Sequence, residues 1–228
     1  MANAIAVIPA RGGSKGVARK NLALVAGKPL VAWTIEAAKA CPTIERVIVS
    51  SDDADILAIA QAYGVEALER PAALSGDTVR SEPVLVHALE QSALQKALPE
   101  WAVYLQPTSP LRTAGHIARA LELLEESDAD CLISVCETDN KVLKSYLKTG
   151  EGYLTGIANN DYPNWNRQDL PDVYMPNGAI YIVRTKLFLE QPRFWNERTV
   201  PFVMQPEESI DIDTPESIVR AETLLKNS

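Results

Sequence analysis

Over its first 136 residues this chain alternates apolar runs of four or five residues with longer stretches of helical periodicity, and that alternation limits the folds open to it. The runs at 4–8, 47–50, 65–68, 101–105 and 131–135 are too short for helices and read as buried strands. Between them the spacing predicts helices near 29–41, 53–63, 81–96 and 114–126. Leu30, Trp33, Thr34, Ala37 and Ala38 recur at helical spacing in the first of these. Ile117, Leu121 and Leu124 do so in the last, with Arg119, Glu122 and Glu125 on the other side. Asp52 is expected to cap the helix that carries Ile56, Ile59 and Ala60. Continuous apolar strands separated by helices predict an α/β fold, a mostly parallel sheet covered on both faces and wound by right-handed crossovers into three layers. Such sheets bind ligands beyond the carboxyl ends of their strands, which directs attention to the segments after Ile8, Ser50 and Leu105.

Residues 140–200 differ in texture. Tyrosine, tryptophan and phenylalanine concentrate there, and alternation at 142–147 and 153–157 around Gly150-Glu151-Gly152 predicts a hairpin. Residues 159–176 read as an extended aromatic loop, and 178–183 return to a strand pattern. This excursion is expected to act as a lid or an oligomer arm. A closing helix is predicted over 215–225, with Pro215 in its first turn.

The length of 228 residues suits one domain with a smaller excursion. Three cysteines cannot close a disulfide framework and point to a reducing, cytoplasmic setting. No apolar run is long enough to span a membrane, and no basic segment precedes the first apolar stretch as a secretory signal would require. The net charge of -8 argues against nucleic acid as a partner, but not against an anion held by a local basic patch.

Such a patch follows the first strand. In residues 9–21, PARGGSKGVARKN, three glycines allow a tight path and Arg11, Lys15, Arg19 and Lys20 place four cations within ten residues. With Ser14 and the loop amides they can cradle a triphosphate, although the pattern is neither GxxxxGK[ST] nor GxGxxG. Arg11 and Lys20 are the best phosphate ligands. After the fourth strand, Gln106-Pro107-Thr108-Ser109-Pro110-Leu111-Arg112 fixes the chain path with two prolines. It offers polar groups to a polyhydroxylated substrate, or else simply leads into a helix capped by Thr113. Arg70, before a loop and the helix begun by Ser81, can reach a base or a phosphate. Asp211 and Asp213 share one face of an extended segment, as a divalent cation requires, while local helix capping is the alternative use of Asp213. His87 and His116 lack metal-like partners, and the cysteines lack a CxxC arrangement.

Taken together, the blocks IPARGGSKG at 8–16, Lys20-Asn21, Ser50-Ser51-Asp52, Arg70-Pro71, LQPTSPLR at 105–112, PNGAIY at 176–181 and SIDID at 209–213 resemble the bacterial N-acylneuraminate (CMP-sialic acid) cytidylyltransferases. The legionaminic and pseudaminic acid enzymes are included in that resemblance. It implies a Rossmann-like nucleotidyltransferase domain over 1–228 with a dimerisation and sugar-site excursion at 140–175. It also implies Mg²⁺-dependent transfer of CMP from CTP to the 2-hydroxyl of a nine-carbon 2-keto sugar acid, releasing pyrophosphate. By matching position, Arg11, Ser14, Lys15, Lys20, Asn21, Arg70 and Ser81 would hold CTP. Gln106, Thr108, Ser109, Lys144, Arg167 and Tyr181 would hold the sugar acid. Asp211 and Asp213 would hold the metal, with Arg11, Lys20 and Asp211 catalytic, and Lys144 or Arg167 would complete a neighbour's site in a homodimer. Two departures, Met175 where arginine is frequent and the bulky Trp165, bear on which sugar is taken. An octulosonic acid, a sugar phosphate or non-catalytic nucleotide binding are the alternative readings.

Overall fold

The computed structural model describes residues 3–14 and 16–226. The five expected strands form, as β1 (Ala4–Pro9), β4 (Ile44–Ser51), β5 (Glu66–Glu69), β6 (Trp101–Tyr104) and β7 (Cys131–Thr138). The intervening helices are α1 (Leu30–Lys39), α2 (Ala54–Ala62), α3 (Ser81–Ala93) and α4 (Ala114–Glu126). Two short strands, β2 (Leu24–Val25) and β3 (Lys28–Pro29), pair just before α1. The chain continues through the hairpin β8 (Tyr146–Lys148) and β9 (Leu154–Gly156), the long strand β10 (Val173–Arg184), α5 (Thr185–Glu190), β11 (Thr199–Val203) and α6 (Pro215–Leu225).

The main sheet runs β11-β7-β10-β6-β1-β4-β5. Only β10 is antiparallel to its neighbours, so the expected mostly parallel sheet is present. β1 is its axis. Alternation along that strand sends Ala4, Ala6 and Ile8 to one face, against Val31 and Ile35 of α1, Ile56 of α2 and Ile117 and Leu121 of α4. Ile5 and Val7 go to the other face, against Leu85 and Leu89 of α3 and Phe188 of α5. All of these side chains are essentially buried, and each large one contributes about 1.5–3 kcal/mol by leaving water. The three layers follow from a strand that is apolar on both faces.

β10 extends further than the pattern at 178–183 indicates. Tyr181 to Arg184 pair with β6, while Val173 to Pro176 pair with β7 alone, past the carboxyl end of β6. β7 and β10 therefore overhang the parallel strands as a two-stranded arm. Residues 140–144 form a 3-10 helix rather than a strand, which shortens the predicted hairpin to β8 and β9.

The cap of α2 corrects one expectation. Asp53, not Asp52, accepts hydrogen bonds from the N–H groups of Asp55 and Ile56. Asp52 instead accepts the N–H of Gly12 at 2.9 Å and so faces the loop after β1. Thr113 caps α4 and Thr214 caps α6, each in a reciprocal capping box. Because Thr214 caps α6, the Asp213 carboxylate is not needed for that purpose.

Asp53 also binds Arg19 through both carboxylate oxygens. Partial burial, the largest single influence, pushes its pKa up, but Arg19 and the two capping N–H groups together outweigh it and hold the carboxyl below its usual range. A depressed native pKa means that the stabilisation is present above the unfolded value and is lost as pH falls. Asp53→Ala should therefore lower stability to urea by about 1–2 kcal/mol at neutral pH. The gap from wild type should close as the pH is taken below about 4.

Candidate active site

Three segments meet where the chain leaves the carboxyl ends of β1, β5 and β6, and they enclose a cleft of about 400 Å³. The loop after β1 supplies one wall through Arg11, Gly13, Ser14, Gly16, Lys20 and Asn21. Arg70 and the segment leading into α3 supply the second, and Gln106 to Thr108, with Tyr104, the third. Asp213 closes the rim.

The basic loop is built by its own polar groups. The Ser14 hydroxyl donates to the Val17 carbonyl and accepts the Lys20 N–H at 3.0 Å, which draws Val17 and Lys20 back onto Ser14. The buried Asn21 donates its amide to the Arg11 carbonyl at 2.9 Å. Arg19 takes up a left-handed conformation, φ 49°, and turns its guanidinium away to Asp53 and Asp55. Gly16 is required for a different reason. A Cβ there would lie 2.1 Å from the carbonyl oxygen of Asp213, so the loop and the 211–213 segment touch backbone to backbone.

Two loop cations face the cleft and meet acids there. Arg11 pairs with Asp77 at 2.8 Å, and Lys20 donates to Asp213 at 2.7 Å. Lys20 is the first cause of a pKa for Asp213 held below the usual carboxylate range. Asp211 behaves in the opposite sense: burial, then repulsion by Asp213, pushes it up, against a hydrogen bond from Thr108. No group of three or more histidine, cysteine or acidic side chains suitable for a metal occurs among the described residues. Two adjacent carboxylates that repel each other beside a basic loop nevertheless fit magnesium, which takes one or two protein carboxylates and completes its shell with phosphate oxygens and water.

At the Arg70 end of the cleft the polar groups are tied to the sheet. Arg70 is buried and donates to the hydroxyl and carbonyl of Ser50. Its burial draws its pKa down, while the neighbouring Tyr104 and Asp52 favour the charge. Tyr104, hydrogen-bonded to Ser81, is pushed by burial up to about 12 and stays protonated.

Of the residues proposed from sequence, Arg11, Ser14, Lys20, Asn21, Arg70, Ser81, Gln106, Thr108 and Asp213 line this one cleft. Asp211 joins it through Thr108 and Asp213, and Tyr181 lies close enough for Asp211 to raise its pKa further, after burial. Ser109 is fully buried beneath the wall, its hydroxyl without a partner among the described residues. Lys15 lies outside the described residues. Lys144 and Arg167 are not in the cleft. They sit on the excursion, with Lys144 donating to the Trp165 carbonyl at 2.6 Å and Arg167 near Asp139 at 3.5 Å. Sequence reasoning did not single out Asp77, Tyr104 or Arg80, which also line the cleft. Only the position of Tyr104 at the end of a strand marked it.

A Gly-rich basic loop after the first strand of a mostly parallel sheet, opposite a carboxylate pair, is an α/β arrangement suited to an anionic ligand at the carboxyl ends of the strands. Residues 5–224 match the cytidylyltransferase family, and the chain belongs to it. It is similar to the N-acylneuraminate cytidylyltransferase of Escherichia coli O18:K1:H7 (strain RS218 / NMEC), at 36% identity over 211 residues. That match takes in 92% of this chain and 49% of the relative. It is also similar to the pseudaminic acid cytidylyltransferase of Campylobacter jejuni subsp. jejuni serotype O:2 (strain ATCC 700819 / NCTC 11168). There the identity is 29%, over 97% of this chain and 96% of the relative. The chain thus spans about half the length of the N-acylneuraminate relatives it matches. Among solved structures, CMP:2-keto-3-deoxy-manno-octonic acid synthetase complexed with CTP shares the fold, with a TM-score of 0.72, 17% identity and 99% of both chains covered.

The contact at Gly16 yields a direct test. Gly16→Ala should push the loop off the Asp213 backbone and weaken CTP binding at least about tenfold by calorimetry, while the far-UV spectrum is unchanged.

Proposed function

We propose that this chain transfers CMP from CTP to the anomeric 2-hydroxyl of a nine-carbon 2-keto sugar acid and releases pyrophosphate. The observation that carries this reading is the single cleft in which the Arg11–Asn21 loop faces Asp213, with Gln106 and Thr108 on the adjoining wall. The curated relatives are named for N-acylneuraminate and pseudaminic acid, which supports a sugar acid as acceptor.

Each group then has a task. Arg70, fixed on Ser50, and Ser81 hold the base end. Arg11 and Lys20 leave Asp77 and Asp213 for the phosphates, so the triphosphate replaces two internal ion pairs. Asp211 and Asp213 would hold Mg²⁺, which when bound neutralises phosphate charge and polarises the phosphorus under attack. Gln106, Thr108 and Tyr181 orient the sugar acid so that its hydroxyl meets the α-phosphorus in line with the departing pyrophosphate. Asp211 lies beside Thr108 and Tyr181 and takes the proton lost by the attacking hydroxyl. Arg11 and Lys20 stay on the phosphates as negative charge builds on the leaving group.

The excursion supports a dimer. Tyr146, Leu147, Tyr153 and Leu154 of the β8–β9 hairpin are all about half exposed or more, and Trp165, Tyr174 and Met175 are further exposed apolar side chains of the same excursion. A partner that covers these side chains would bring its own Lys144 and Arg167 toward a neighbour's sugar site. Three free cysteines suit a reducing compartment, and no helix among the described residues is long and apolar enough to cross a membrane.

With CTP and Mg²⁺, pyrophosphate release is expected with at least one of N-acetylneuraminic, legionaminic and pseudaminic acids and should stop on adding EDTA; no release with any sugar acid would overturn the reading. Asp211→Asn should retain CTP binding but lose at least about a hundredfold in turnover, and unchanged turnover would remove Asp211 from the chemistry. Leu154→Glu together with Tyr153→Glu should shift the sedimentation coefficient from dimer to monomer; a wild type that sediments as a monomer with full activity would contradict the arm's role.

A further inference from the structure

Behind the sugar-side wall lies a cation without an anion. Arg112 is 2% exposed, and no carboxylate pairs with it among the described residues. Its Nη1 donates to two backbone carbonyls, Gln106 at 3.0 Å and Ala179 at 2.9 Å. Its Nη2 donates to the Thr34 hydroxyl, and its Nε has no partner. Burial alone draws the guanidinium pKa down to about 9, still high enough for it to be charged at neutral pH. A buried, unpaired charge is costly, and an apolar side chain of similar size would pack there without that cost. The arginine must therefore be judged by what it holds.

It holds the cleft-lining Gln106 to the turn of β10 beside it. Gln106 follows β6, and Ala179 follows Gly178 in β10. Without a shared donor, their two carbonyls would converge on an empty point with their negative ends together. The side chain of Gln106 depends on the same contact. Gly178 has φ 77°, and a Cβ on it would lie 2.6 Å from the Gln106 Oε1, so the amide rests directly on that turn. The far side of the turn is fixed separately: Asn177 accepts from Ser134 at 2.6 Å and from the Ala179 N–H at 3.1 Å, and donates to Ser209 at 2.9 Å. Nothing among these bonds ties the turn to Gln106; Arg112 does.

We infer that Arg112 is the positioning residue for the acceptor half of the site, clamping Gln106 to the Gly178 turn so that the Gln106 amide is already aimed when the sugar acid arrives. The nucleotide half is built by the 11–21 loop and Arg70, which Arg112 does not touch. This inference rests on the sugar-acid reading of the cleft for its kinetic consequence, but not for its structural one.

The test compares wild type, Arg112→Met and Arg112→Lys. In pyrophosphate release, Arg112→Met should raise KM for the sugar acid at least about tenfold while KM and Kd for CTP stay within about twofold. Arg112→Lys, which keeps a buried donor, should fall between. Amide exchange should show lost protection at 106–111 and 177–180, with 4–9 and 44–51 as protected as in wild type. Unchanged sugar-acid KM, equal losses toward both substrates, or loss of protection spread evenly through 4–9 and 44–51 would each overturn the assignment. If Arg112→Met does not fold, Arg112→Lys must still raise the sugar-acid KM about threefold or more, and an unchanged value overturns it. A wild type that releases no pyrophosphate with any acid defeats the sugar-acid reading, while amide exchange still decides the role of Arg112.

Discussion

The burial of β1 between β4 and β6 is the constraint on which the rest of the structure depends. All of its residues up to Ile8 are solvent-free, with helices packed on both faces. A strand in that position can change direction only at its end, so Ala10 to Asn21 must emerge at the carboxyl edge, next to the ends of β4 and β6. Gly12 then meets Asp52, just after β4, and Gly16 meets the backbone at Asp213. The acids opposite the basic loop are brought there by parallel pairing and by close backbone contact, since residues 20 and 213 are 193 positions apart.

Three of the loop's cations are held on carboxylates. Arg11, Arg19 and Lys20 each have a carboxylate, but the three pairs are not equivalent. Arg19 is bound to the acids at the start of α2 and serves the loop's shape. Arg11 and Lys20 pair with acids that line the cleft, where on the proposed function a triphosphate would compete for them. Partly exposed pairs of this kind are worth little on their own, so exchanging them for phosphate contacts is favourable. On that proposal a chain of net charge -8 would still offer two cations to a highly anionic ligand.

Much of this was legible in the sequence, for identifiable reasons. Strands such as 4–8 and helices such as 114–126 carry strong periodicity and are bounded by clear caps, and Thr113 and Pro215 stand where they were read. The α2 cap was misplaced by one residue because Asp52 and Asp53 are chemically identical; only the fold reveals that one meets the helix and the other Gly12. β11 and α5 were not read because Thr199–Val203 contains a proline and Thr185–Glu190 is barely more than one turn. The overhang of β10 was hidden by Pro176 and Gly178, which punctuate the strand pattern. In the site, residues next to strand ends were found, whereas Asp77 lies in a loop with no periodic signal, and Arg112, read as one of the polar groups offered to a substrate, is instead buried behind the wall.

The central claim is that the cleft directs an acceptor hydroxyl to the α-phosphorus of CTP. Phosphorus NMR of a mixture of CTP, Mg²⁺, the chain and an N-acylated nine-carbon 2-keto sugar acid tests it most directly. Equal growth of a CMP-sugar phosphodiester signal and a pyrophosphate signal is expected. Appearance of CDP with inorganic phosphate, or no change in the CTP resonances with any such acid, would contradict it.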